Sequence, residues 1–325
     1  MWEHDPRLDP TPDYGQLGPG ADLKSGRQAA AQTGPTKSFA AVAIGVLAAL
    51  VFVAANGTGA RAAWEQLSAL LTIRGKPAPA SPAKLSGHES QKLDANSPQY
   101  QAELLLERFI NHYDGANDQI ESRVAQWRGK LQLDQRMNSL IQTGMNSNDL
   151  RVRAAAIEID LAALNLEKNP QTVEILAEQA ESGSQQQRVW ALWSLGLLGN
   201  RGVEQERVSQ ILVSHLQDPN VEVRHWSVEG LAYLGTDATI EPLLKTLRDD
   251  ASPMVRERAA CSLAQSGMLS QQQRLSATPK LVEYAEDSSL DTATRAWVYH
   301  ALRDITGKTL PDNPTVWRTA LSSQR

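Results

Sequence analysis

The chain of 325 residues holds one cysteine, Cys261, which leaves it without an intramolecular disulfide or a cysteine-rich metal site. The basic excess that marks nucleic-acid binding is also missing. Net charge is −5, and the part from Asp134 onward is mildly acidic as well, so no nucleic-acid partner is expected. The six histidines (His4, His88, His112, His215, His225, His300) include no pair four residues apart, so no metal or cofactor is expected. There is no glycine-rich phosphate loop, no His-Glu-x-x-His and no nucleophile elbow, and no catalytic residue is expected. What remains is an ordinary core-forming composition, 41% hydrophobic and 21% charged.

One long apolar run is present. "FAAVAIGVLAALVFVAA", Phe39 to Ala55, has seventeen residues and no charge. A spanning helix needs about 17–25 apolar residues, so a single transmembrane helix is expected over 38–56. The polar residues ahead of the run make a cleaved signal peptide a poor fit. Lys24, Arg27 and Lys37 on one side against Arg61 and Arg74 on the other favour a cytoplasmic N-terminus. That orientation implies a bacterial inner-membrane protein with everything after Ala55 outside the cytoplasm. Residues 1–37, rich in Pro, Gly and Asp, read as a disordered tail. Residues 57–97 read as a short helix, Arg61 to Ile73, followed by a Pro- and Ser-containing spacer.

From Pro98 onward apolar residues recur at three- and four-residue spacing, the period of helices. Residues 98–131 read as a helical hairpin broken at Asp114-Gly115. Residues 132–310 then show a longer repeat. Arg153, Arg188, Arg224, Arg256 and Arg295 follow one another at intervals of 35, 36, 32 and 39 residues. Leu195, Leu231, Leu263 and Leu302 stand seven residues after the last four arginines, and Gly199, Gly235 and Gly267 stand eleven residues after three of them. In the last unit the glycine slips by one to Gly307; in the first, Asp160 takes the leucine's place and Leu164 the glycine's. Each arginine opens a second helix, and each glycine is expected to end it in a left-handed conformation. The helices expected ahead of them are Asp134–Met145, Pro170–Glu181, Glu204–Gln217, Asp237–Asp249 and Ser276–Glu286. A helical period of this length marks an α-solenoid of about five hairpins, with 311–325 as a C-terminal tail. Asp218 precedes Arg224 by six residues and Asp250 precedes Arg256 by six, a spacing that lets each carboxylate reach the guanidinium across its own turn.

The Asp-x5-Arg spacing, the "VR" in "NVEVR" and "SPMVR", and the terminal "LG" resemble HEAT repeats of the short bacterial kind. "ITGKTLPDNPTVWR", Ile305 to Arg318, resembles the tail that closes such domains. The resemblance implies a right-handed all-α solenoid that binds another protein. It also implies an alternative, because a minority of such domains act as lyases on linear tetrapyrroles or as DNA-glycosylase scaffolds.

A helical wheel places residues three, four, seven and eight after each arginine in the core stripe. Positions two, five and nine fall opposite: Trp190, Trp193 and Leu197; Trp226, Glu229 and Tyr233; Arg258, Cys261 and Gln265; Trp297, His300 and Asp304. Second helices line the concave surface of a solenoid, and Trp, Tyr and Arg are the side chains enriched at hot spots. Trp190, Trp193, Trp226, Glu229, Tyr233, Arg258 and Trp297 are therefore the expected partner-binding residues. Packing of the same tryptophans against adjacent repeats is the other reading. In the lyase alternative Glu229 and Cys261 are the candidate acid and nucleophile. The function expected from sequence is a membrane-tethered interaction scaffold or assembly factor.

Overall fold

The computed structural model describes residues 83–322, which lie within one compact unit, Ala83–Arg325. The tail 1–37, the run Phe39–Ala55 and the helix Arg61–Ile73 expected from sequence fall outside the described residues. Among the described residues no helix is long and apolar enough to cross a membrane. The longest of these helices has 16 residues, or about 24 Å at 1.5 Å per residue, against a hydrocarbon core of about 30 Å. The expected assignment as a single-pass inner-membrane protein with an extracytoplasmic domain is corrected on this finding.

The described residues are helical apart from their turns and one isolated bridge between Lys84 and Asp114. They begin with α1 (Gly87–Asp94), α2 (Pro98–Ile110) and α3 (Ala116–Trp127). Four hairpins follow: α4 (Gln135–Met145) with α5 (Leu150–Ala163), α6 (Pro170–Ala180) with α7 (Gln185–Asn200), α8 (Gln205–His215) with α9 (Val221–Leu234), and α10 (Ile240–Asp249) with α11 (Pro253–Ala264). A short α12 (Gln271–Ser276) then leads into α13 (Thr278–Glu286) and α14 (Thr292–Thr306), and α15 (Pro314–Ser322) closes the chain. The second helices α5, α7, α9, α11 and α14 contact one another in that order.

Local sequence explains the boundaries. Asp134, Asp149, Asn169, Ser184, Asn220 and Asp291 each accept a backbone N–H from the first turn of the helix they cap. Such caps satisfy amides that have no partner within the helix, and each is worth about 1 kcal/mol. Pro170 and Pro253 open α6 and α11, where a missing N–H costs nothing. Gly235 ends α9 at φ +64°, as the Arg-to-Gly spacing requires. Gly199 does not play that role: α7 runs through it to Asn200, and the positive φ falls at Gly202. The smallness of Gly199 serves packing instead, because a Cβ there would lie 2.6 Å from Leu234 Cδ1.

Three other elements differ from expectation. Residues 87–94 form α1 inside the expected spacer, because Ser86 and Glu89 make a capping box and Leu93 is buried. The tail carries α15, which packs on α13 with Trp317 fully buried and its indole N–H donating to Pro311 O at 3.0 Å. Helix α12 is an addition ahead of the fifth hairpin. Its buried Arg274 donates to carbonyls of Ser262, Leu263, Gln265, Ser266 and Leu269. Arg274 thereby satisfies the carbonyls left open at the C-terminus of α11.

Candidate partner-binding face

The arginine series stands at one register position, four residues after each N-cap: Asp149, Ser184, Asn220, Ser252 and Asp291. Each guanidinium first satisfies a carbonyl of its own turn. Arg153 donates to Ser147 O, Arg188 to Ser182 O, Arg224 to Asp218 O, Arg256 to Asp250 O and Arg295 to Leu290 O. The carboxylate partner comes from the following repeat. Arg224 forks onto Asp250 at 2.8 and 3.0 Å, Arg256 reaches Asp291 at 3.1 Å, and Arg188 approaches Asp218 at 3.8 Å. The expected pairing of Asp218 with Arg224, and of Asp250 with Arg256, through carboxylates across one turn is therefore corrected. The cause is an Asx turn. Asp218 accepts the Asn220 N–H and Asp250 the Ser252 N–H, both at 2.7 Å, which turns each carboxylate towards the preceding repeat and leaves its carbonyl for its own arginine.

On the opposite side of the second helices the structure brings the aromatic residues together. Trp193 meets Trp226 edge-on at 5.8 Å between ring centroids and Tyr233 at 4.7 Å. Both distances suit the ring quadrupoles. Glu229, one turn beyond Trp226, accepts a hydrogen bond from Arg258 Nη2 at 2.7 Å and lies 3.8 Å from His225 Nε2. Trp193, Trp226, Tyr233 and Glu229 are each 7% exposed or less, whereas Trp190, Arg258 and Trp297 are half-buried. The seven residues thus divide into a packed centre and a partly open rim. Gln265 extends the rim by donating to Asp304 at 2.6 Å.

The two groups needed by an enzyme reading are poorly prepared for chemistry. Burial pushes the Cys261 thiol up to about 12, so it is protonated at neutral pH and weakly nucleophilic. Glu229 has its carboxylate engaged by Arg258 and is 7% exposed, so it is not free to face a ligand. Among the described residues no group of His, Cys, Asp and Glu is arranged to hold a metal ion.

Two buried charges escaped the wheel. Asp160 is 1% exposed, and neither carboxylate oxygen has a hydrogen-bond partner among the described residues. Burial raises its pKa to about 7, with the neighbouring Trp193 opposing the shift. Arg153, two turns earlier on α5, is 7% exposed and donates to Gln265 O and Gly267 O. The sequence signal was present in the first case, since Asp160 stands where four other units carry leucine. Nothing local marks the second.

Residues 173–264, from α6 to the end of α11, match the HEAT repeats family model. No curated protein matches the chain. Among solved structures, a designed armadillo repeat protein in complex with the peptide (KR)4 is 18% identical, with a TM-score of 0.32, covering 64% of this chain and 99% of that one. An engineered protein gives 18% identity and a TM-score of 0.32 over 67% of this chain and 94% of its own. A second designed armadillo repeat protein gives 18% and 0.30 over 65% and 100%. With its stacked hairpins and the HEAT repeats matched over 173–264, the chain is a repeat protein whose described residues are all-helical.

Proposed function

We propose that this domain is a protein-interaction scaffold whose partner docks on the second-helix face, against Trp190, Arg258 and Trp297. The observation that carries the reading is the division of that face. A packed centre of Trp193, Trp226 and Tyr233 fixes the geometry, while large side chains on either side of it stay half-open to solvent. Hot-spot residues have this character, being large, rigid and set beside a desolvated centre. The match to HEAT repeats supports a binding role, and the protonated Cys261 and the paired Glu229 weigh against the lyase alternative.

The test uses crosslinking capture from cell extract with the full chain as bait, followed by titration of the captured protein. Trp190→Ala combined with Trp297→Ala is expected to weaken binding by about thirty-fold, the equivalent of about 2 kcal/mol. Circular dichroism should stay that of the parent, because neither ring belongs to the buried centre. Equal affinity for a folded double variant would place the docking surface elsewhere.

A further inference from the structure

In a solenoid each repeat touches only its neighbours, so the arginine ladder is expected to run from one repeat to the next. It does so from Arg188 onward. The first rung departs. The repeat after Arg153 carries Ser182 at the turn position that later repeats fill with Asp218 and Asp250, and a serine offers no carboxylate. The Arg153 guanidinium is nonetheless buried. Its Nη1 and Nη2 donate to Gln265 O at 3.1 and 3.2 Å, and Nη1 also donates to Gly267 O, residues more than a hundred positions away in the fourth hairpin.

The receiving loop is built for the contact. Gly267 has φ +72°, and a Cβ there would run into the carbonyl of Ala232 in α9. The next amide, Met268 N–H, donates to that same Ala232 O at 2.8 Å, which fixes the loop against the end of α9. Arg274 holds the loop from its other side through Gln265 O and Ser266 O. Two guanidinium ions therefore share one set of carbonyls at the C-terminal, electronegative end of α11.

We propose that Arg153 is a clasp that joins the first hairpin to the fourth and makes the intervening repeats open as one cooperative unit. A linear stack lets its ends open independently. The clasp couples α5 to the loop 265–268 across α7 and α9, and with the loop held, the second-helix face keeps a fixed curvature.

Native-state hydrogen exchange on the full chain, read at low denaturant, tests this. In the parent, the amides of α5 and the Met268 amide are expected to exchange through the same opening, with the same denaturant dependence. Two separate openings would overturn the proposal without any variant. Arg153→Met keeps the apolar stem and removes the donors. It is expected to speed exchange in α5 and at Met268 together, by about tenfold or more, the scale of a lost hydrogen bond to a charged group. Amides in the middle of α8 are expected to speed up with them, and amides of α13, beyond the clasped repeats, serve as the internal reference. Faster exchange in α5 alone would show a local packing role and overturn the clasp. Arg153→Lys, which retains a donor, should restore part of the protection at both places. If Arg153→Met does not fold, Arg153→Lys is read in the same way, and an unchanged Met268 amide beside a faster α5 overturns the proposal.

Discussion

Asp160 is a carboxylic acid buried in an apolar setting with only the Trp193 indole opposing the effect of burial, and that makes its protonation part of the folding equilibrium. In the folded chain it holds its proton up to about pH 7, whereas an unfolded aspartate releases it near the ordinary value of 3.8. Between those values the folded state binds more protons. Stability therefore falls as pH rises from about 4 to about 7 and then levels off. The shift corresponds to roughly 4 kcal/mol at 1.36 kcal/mol per unit. Asp160→Asn is expected to raise the melting temperature at pH 8 and to flatten the slope between pH 4 and 7. A parallel pH profile in the variant would assign that slope to other groups. Arg224 presents the opposite case, a charge that is well matched. Arg224→Ala should cost about 3–5 kcal/mol, because it leaves the 5%-exposed Asp250 side chain without its cation. A double-mutant cycle locates the partner: coupling to Asp250→Ala should exceed coupling to Asp218→Ala, since Arg224 meets Asp218 through the backbone.

At the scale of elements, α7 and α9 cross at a close approach that only glycine fits. A Cβ on Gly196 would lie 2.5 Å from Gly230 O, and one on Gly230 would lie 2.8 Å from Leu192 O and 2.5 Å from Leu212 Cδ2. Backbone cannot give way as a side chain can. Gly196→Ala and Gly230→Ala are each expected to destabilise by about 1–3 kcal/mol, measured by urea unfolding. An unchanged midpoint would mean that the two helices separate at little cost. The helices of the repeated hairpins were legible in the sequence to within a few residues, because caps such as Asp134 and Asn169 and the apolar period act locally, whereas α1, α12 and α15 were not. The partners across repeats were not. Asp218 and Arg224 are six residues apart, which invites a local pair, and only the Asx turn shows that the carboxylate faces the other way. Likewise Trp193 and Trp226 stood off the core stripe of their own helices. Their burial depends on the packing between second helices, which the wheel of one helix does not contain.

At the scale of the whole molecule, Trp193 meets Trp226 and Tyr233, and Arg258 meets Glu229, but the pattern of a single helix holds no means of separating this centre from the half-buried Trp190 and Trp297. That separation predicts contrasting phenotypes. Trp226→Ala is expected to lower stability by about 3–5 kcal/mol, as truncation of a buried aromatic does. The rim changes at Trp190 and Trp297 should leave the melting temperature near that of the parent. A Trp226→Ala protein that melts with the parent would put Trp226 among the exposed residues after all.

The ladder and the Arg153 contact place opposite demands on how many repeats the chain can hold. A ladder whose rungs are alike is indifferent to number. If residues 205–236 were excised, Arg188 would meet the turn bearing Asp250 in place of the one bearing Asp218, and the pairing would resume. Duplication of the same stretch would extend it by one rung. Arg153 makes no such allowance, because it reaches a loop at one fixed distance along the stack. One repeat more or fewer carries that loop out of reach. Repeat families change length by gaining and losing units, and this chain is free to do so only outside the stretch from the first hairpin to the fourth.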